Sequence, residues 1–341
     1  MATPETPQAR FPLGPLSLVA DLLYGSIPTP TFQLPDKRLQ PDFLMDTFPS
    51  WLFFLVSFGM VAGLEYAVYS PANILWIACA IPVLVHWILF FGHGLPARSE
   101  KYFDLAGQLG MSSMLLYSLV TRNRASARSD LIYVLAFLWS FRLGYFLFTR
   151  FLERGEDWRF VRARHYPGFH FFTWTSQGLW CFFQGQSILA LNNIVDRSYK
   201  SPALGTAFDY LGLGCWALGL GIETLADMQK LDFVRRYPER RTRPWIEEGL
   251  WAYSRHPNFF GETLTWVGIA LFCLSGLDRT DTQQLAMCAF APLFSAGFLM
   301  QTTVPWLDIL ADEKYGHNPE YSKYCRRVAR YMLLPRRPEW L

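Results

Sequence analysis

Apolar runs of similar length recur along this chain and are separated by short polar stretches. They lie at about residues 51–69, 72–91, 105–120, 131–149, 177–194, 204–226, 258–276 and 284–306. A helix needs roughly 20 apolar residues to cross the hydrocarbon of a bilayer, so each run is near spanning length. None shows the strict alternation of a barrel strand, and a backbone inside lipid must satisfy its own hydrogen bonds. The pattern therefore predicts an all-α, polytopic transmembrane bundle of about eight spans.

Residues 1–50 precede the first run and are rich in proline, including Pro4, Pro7, Pro12, Pro15, Pro28, Pro30, Pro35, Pro41 and Pro49. They lack the basic start and apolar core of a cleaved signal and read as a flexible lead. Residues 51–341 read as one domain, because no polar gap approaches the roughly 100 residues of a separate soluble unit.

Composition sharpens this picture. The 341 residues are 51% hydrophobic and only 17% charged, where an average soluble domain carries about a quarter charged residues. That balance excludes a disordered chain. The formal net charge is +3, and the basic residues sit in loops and tail without an interleaved aromatic surface, which argues against a nucleic-acid partner. The cysteines Cys79, Cys181, Cys215, Cys273, Cys288 and Cys325 have no CxxC spacing. They indicate neither a metal site nor a disulfide framework.

The polar segments at 150–176 and 227–249 and the tail from 307 carry arginine clusters such as Arg235, Arg236, Arg240, Arg241 and Arg243. By the positive-inside rule these segments face the cytoplasm together. Arg122, Arg124 and Arg128 fall on the opposite side. Either the third run is not a span or the charge bias is imperfect there.

An ionisable group within a span costs about 2.5–3.5 kcal/mol on insertion scales, so each needs a partner, a cavity or a role. Four occur: Glu65, His86, Arg142 and Glu223. For Glu65 and His86 a bond to a neighbouring helix explains the residue as well as a function does. Arg142 and Glu223 lead into polar runs and read as functional. Glu223, Asp227 and Lys230 are spaced by four and three, which puts them on one helix face, as an ion pair or around one cavity. Arg159, Arg162 and Arg164 read as a topology anchor or as a phosphate clamp, since guanidinium forks match phosphate oxygens. Lys101, Tyr102 and Asp104 place a cation, a phenol and a carboxylate together at the start of a run.

The densest constellation is Gly249-Leu-Trp-Ala-Tyr-Ser-Arg-His-Pro-Asn-Phe-Phe-Gly-Glu262. Proline favours the first turn of a helix, so Tyr253, Ser254, Arg255 and His256 feed a helix that begins near Pro257. A helix start has unpaired amides and a partial positive charge, which suits an anionic ligand. Asn258 and Glu262 lie four apart, on one face at this mouth. The tail, Asp312-Glu-Lys-Tyr-Gly316 followed by Tyr321-Ser-Lys-Tyr-Cys-Arg-Arg327, reads as a basic amphipathic helix on the membrane surface or as a cover over a nucleotide.

Gly-Leu-Trp-x-Tyr-Ser-Arg-His-Pro-Asn-Phe-x-Gly-Glu, preceded by Glu-x-x-x-Asp-x-Gln-Lys, resembles the DUF1295 family of the steroid 5-alpha-reductase and sterol-reductase superfamily. The likeness runs from about Lys101 to the C-terminus. Membrane methyltransferases such as isoprenylcysteine carboxyl methyltransferase share a similar Arg-His-Pro and tail. They usually carry Ser or Ile and then no acid where this chain has Asn258 and Glu262. The resemblance implies a helical bundle whose cytoplasmic loops and tail cover a cavity holding NADPH. It implies cofactor contacts at Asp227, Asn258, Glu262 and Tyr315, with Lys230, Arg255 and His256 beside them. The glutamate and tyrosine that polarise the enone in steroid 5-alpha-reductases have no alignable match here. Tyr102, Glu65 and Asp104 are the candidates for that role by location.

The expected activity is reduction, with NADPH, of a carbon-carbon double bond conjugated to a carbonyl in a lipophilic substrate. An S-adenosylmethionine-dependent membrane methyltransferase and a non-enzymatic lipid- or sterol-binding protein are the alternatives. The expected partners are membrane lipids and a lipophilic small molecule. The expected location is the endoplasmic reticulum for a eukaryotic source and the inner membrane for a bacterial one.

Overall fold

A computed structural model describes residues 74–122, 125–155, 157, 160, 163–192, 199–238 and 244–337. The proline-rich lead, the run at 51–69 with Glu65, and Arg124, Arg159, Arg162, Arg240, Arg241 and Arg243 lie outside the described residues.

Helix α1 (Ile74–Leu89) passes through a π-helical turn, Phe90–Gly94, and ends at Ala97. It is followed by α2 (Phe103–Thr121), α3 (Ala127–Arg154), α4 (Pro167–Gln184) and α5 (Gln186–Asn192). Then come α6 (Ala207–Arg236), α7 (Pro257–Leu274) and α8 (Thr282–Phe298), which runs through a second π-helical turn, Leu299–Thr303, into α9 (Val304–Tyr315). A short α10 (Pro319–Arg327) closes the series. Among the described residues there is no strand, only an isolated bridge between Ser254 and Ala329.

Local chemistry sets these ends. Ser126, Thr206, Asp281 and Asn318 cap α3, α6, α8 and α10 by accepting from backbone amides, and Thr206 forms a reciprocal box with Asp209. Proline opens α4, α7 and α10, where its missing amide hydrogen costs nothing.

Three helical stretches are long and apolar enough to cross a membrane: Trp76–Ala97, Ala127–Glu153 and Thr282–Tyr315. The chain is therefore read as a membrane protein. The other expected runs within the described residues are helical but more polar or interrupted. The helix α6 carries Asp209, Glu223, Asp227, Lys230 and Asp232. The run expected at 177–194 begins earlier, at Pro167, and breaks at Gly185. There a Cβ would come within 2.4 Å of Met114 Cε. The last run continues past 306 to Tyr315, so the first part of the expected tail belongs to a long helix.

The packing that positions the site is the antiparallel contact of α6 with α7. A Cβ on Gly219 would lie 2.4 Å from the Thr265 amide, and one on Gly268 would lie 2.4 Å from the Trp216 amide. Gly212 and Gly261 are similarly confined by the facing backbone. Small residues let two helices in lipid touch along their backbones, where dispersion replaces the hydrophobic drive. This close approach brings Glu223 level with Gly261, where an added Cβ would lie 2.5 Å from the Glu223 amide, and so sets Glu223 beside Glu262.

The run at 105–120 is helical, and it is not among the helices long and apolar enough to cross a membrane; the described basic residues Arg122 and Arg128 that follow it are paired. Arg128 is buried and bonds both carboxylate oxygens of Asp209 at 2.9 Å. It also donates to the carbonyls of Pro202 and Ala203. Arg122 pairs with Asp130 at 2.5 Å.

Candidate functional site

Arg142 projects from α3 between two carboxylates of α6. Its Nη1 donates to Asp227 Oδ2 at 2.8 Å, and its Nη2 pairs with Glu223. The spacing of four between Glu223 and Asp227 puts both on the face that α3 approaches. Trp139, one turn before Arg142, donates its indole N–H to Glu223 Oε2 at 2.9 Å. Its ring meets Trp266 of α7 edge-on, with centroids 5.0 Å apart. Glu262 is buried one turn before Trp266, and its side-chain contact is the amide of Gln184, at 3.5 Å, from the end of α4.

The mouth lies at the start of α7. Asp308 of α9 gathers three basic side chains: His256 at 3.0 Å, Arg330 at 2.6 Å and Arg255 at 3.5 Å. Burial holds the His256 imidazole below its ordinary range, against the pull of Asp308. Arg255 Nε and Arg330 Nη2 are buried without a hydrogen-bond partner. The helix start at Pro257 has no side-chain cap. The mouth thus has unspent guanidinium donors beside an uncapped helix start, which is the chemistry of an anion site.

The chain after α10 is stitched to this mouth. The Arg255 amide donates to the Ala329 carbonyl at 2.8 Å, and Ser254 Oγ donates to the Tyr331 carbonyl at 2.7 Å. The Tyr331 hydroxyl donates to the Phe259 carbonyl at 3.1 Å. Tyr321 and Tyr324 of α10 pack on Trp245, and burial pushes the Tyr324 phenol up. The apolar face of α10 is therefore covered by protein, which corrects the expectation of a helix lying on the membrane surface.

The sequence candidates fall into three places. Asp227 and Glu262 join the interior cluster. Arg255, His256 and Asn258 join the mouth, and no side-chain hydrogen bond engages Asn258 among the described residues. Tyr315 lies in the tail's aromatic group, 5.9 Å from Trp245 between ring centroids. Lys230 stands at the edge of the interior cluster, where it acts on Asp227 while its ammonium sits 4.5 Å above the Trp251 ring. Tyr102 lies 4.7 Å from His93 between centroids, at the π-helical turn after α1. Asp104 is bonded to Arg150 at 3.2 Å. His86 is spent on structure, bonding the Pro82 carbonyl at 2.6 Å and Gln177 at 3.1 Å.

Sequence reasoning missed Trp139, Gln184, Asp308 and Arg330. Asp308 left a signal, a carboxylate in the apolar stretch Val304-Pro-Trp-Leu-Asp-Ile-Leu310. Gln184 left a weaker one, a pair of glutamines around Gly185 inside an apolar run.

The profile of the family described as "Protein of unknown function (DUF1295)" matches residues 90–328. An uncharacterized protein of Schizosaccharomyces pombe is 28% identical over 238 residues, covering 61% of this chain and 64% of that protein. The match thus spans less than two thirds of the curated relative's length. No solved structure matches.

Proposed function

The chain belongs to the DUF1295 family, and from that premise we propose that it is a membrane-embedded, NADPH-dependent reductase. Its substrate class is a steroid-, terpenoid- or polyketide-like lipophile with a carbon-carbon double bond conjugated to a carbonyl. The fold belonging to this reading is an eight-span bundle of the steroid 5-alpha-reductase type, placed in the endoplasmic reticulum or the bacterial inner membrane.

One observation carries the choice of cofactor. Arg255, His256 and Arg330 surround the carboxylate of Asp308, with Asp312 a second carboxylate acting on the two arginines, and two of their N–H groups are buried and unpaired. A phosphate-bearing dinucleotide fits that donor set. S-adenosylmethionine offers these donors one carboxylate and no phosphate, a smaller match than the phosphates of a dinucleotide. The residues that would hold the dinucleotide are Arg255, Arg330, Asn258, Asp227 and Glu262, with Tyr315 in the tail. When bound, NADPH supplies a hydride. The chain's part is to bind the phosphates at the start of α7, keep the interior dry and present an acid to the substrate as enolate charge develops.

The test is binding of NADPH and, separately, of S-adenosylmethionine to the detergent-purified full chain, with an Asn258→Ala, Glu262→Ala double variant as control. NADPH binding that the double variant loses is the expected result. Binding of S-adenosylmethionine alone would make the protein a methyltransferase, and binding of neither would favour a lipid-binding role.

A further inference from the structure

The cation at the centre of the interior cluster, Arg142, is already shared by two carboxylates, and among the described residues it is the one cation that acts on the third, Glu262. Glu223 and Asp227 share Arg142, and the further cations, Arg150 and Lys230, act on Asp227, towards the polar end. Among the described residues Glu262 has no cation of its own. The charged groups acting on it are Arg142 of α3 and Glu223 and Asp227 of α6. The Cys181 thiol of α4 and the Tyr331 phenol of the tail are its further titratable neighbours. A third carboxylate charge placed in this buried position would face repulsion without hydration to offset it.

A second, independent observation lies next to Glu262. Gln184 is fully buried, and its Oε1 has no hydrogen-bond donor. Its Nε2 stands 3.5 Å from Glu262 Oε1, beyond the roughly 2.7–3.2 Å of a well-formed bond. A half-turn of the amide brings the unpaired Oε1 to Glu262. It then needs a donor, and a carboxylic acid O–H is one.

We propose that Glu262 is held as a neutral carboxylic acid hydrogen-bonded to Gln184, and that its proton is the one the reduced double bond takes up. Reduction of a conjugated double bond adds one hydride and one proton. The hydride brings the electron pair and leaves an enolate; the Glu262 O–H bond then breaks and its proton passes to the enolate. The carboxylate left behind is refilled by a solvent proton through Asp227 and Glu223. Glu262 thereby takes the role for which Tyr102, Glu65 and Asp104 were the candidates by location. The use of the proton rests on the reductase reading, whereas its presence on Glu262 does not.

The test reads the proton directly, by infrared spectroscopy of the unliganded, full-length protein in detergent at neutral pH. The wild type should show the carbonyl stretch of a protonated carboxyl group, shifted in deuterium oxide. Glu262→Gln should abolish it. Gln184→Leu should keep it and move it to higher frequency, because the acceptor is gone; a merely structural glutamine would not move it. Absence of the band in the folded wild type, or a band that survives Glu262→Gln, overturns the proposal. If Glu262→Gln fails to fold, the wild-type band and its shift in Gln184→Leu decide, and an unshifted band there overturns it. NADPH binding measured on the same sample keeps the two readings apart, since a band without binding refutes the reductase and leaves the proton in place.

Discussion

Arg142 is the residue on which the interior cluster turns. Replacing it with methionine keeps much of its volume but leaves Glu223 buried without a counter-charge and Asp227 without its bonded one. Breaking a buried ion pair from one side costs about 3–5 kcal/mol, so Arg142→Met should lower the thermal midpoint in detergent sharply. Adding Glu223→Gln and Asp227→Asn should recover most of the loss, because the stranded charges are then removed. A triple variant no more stable than the single one would mean that Arg142 acts by packing alone. The pairing was half legible. Glu223 and Arg142 each stood out as costly in an apolar run and Asp227 shared a helix face with Glu223, but the Arg142–Asp227 bond joins positions 85 apart.

Among the helices, the glycines of α6 divide by face. Gly219 meets the α7 backbone, whereas a Cβ on Gly221 would find nothing within 4 Å. Gly219→Ala should therefore push the helices apart, at a cost of about 1–3 kcal/mol for overpacking, and displace Glu262 from Glu223. Gly221→Ala should be neutral or stabilising, since alanine is the better helix former by roughly 1 kcal/mol. Thermal melts of the two variants side by side check this; equal destabilisation would contradict the close contact. A helix over this segment was readable from its apolar run. Which of its glycines touches a partner was not, because that depends on how α7 crosses it.

Across the molecule, Arg235, Arg236, the mouth and the tail lie at one end, and the Arg128–Asp209 pair lies at the other. The expected topology places these ends on opposite sides of the bilayer. Lys323→Cys and Thr280→Cys, each in a background with Cys215 and Cys325 changed to serine, should react with an impermeant maleimide from opposite sides of sealed vesicles. Labelling of both from one side would refute the spanning arrangement.

Reading the chain alone was enough for the helical class, the membrane setting, the boundary of α7 at Pro257 and the suspicion attached to Arg142, Glu223, Asp227, Asn258 and Glu262. These follow from local physics: hydropathy over a helix length, the geometry of proline, and the cost of a charge in lipid. Three-dimensional packing was needed to show that the Lys230 ammonium lies over Trp251, that Asp308 gathers Arg255, His256 and Arg330, and that Gln184 stands beside Glu262. Each of those contacts joins separate elements, and a partner chosen across space leaves no periodic trace in either segment.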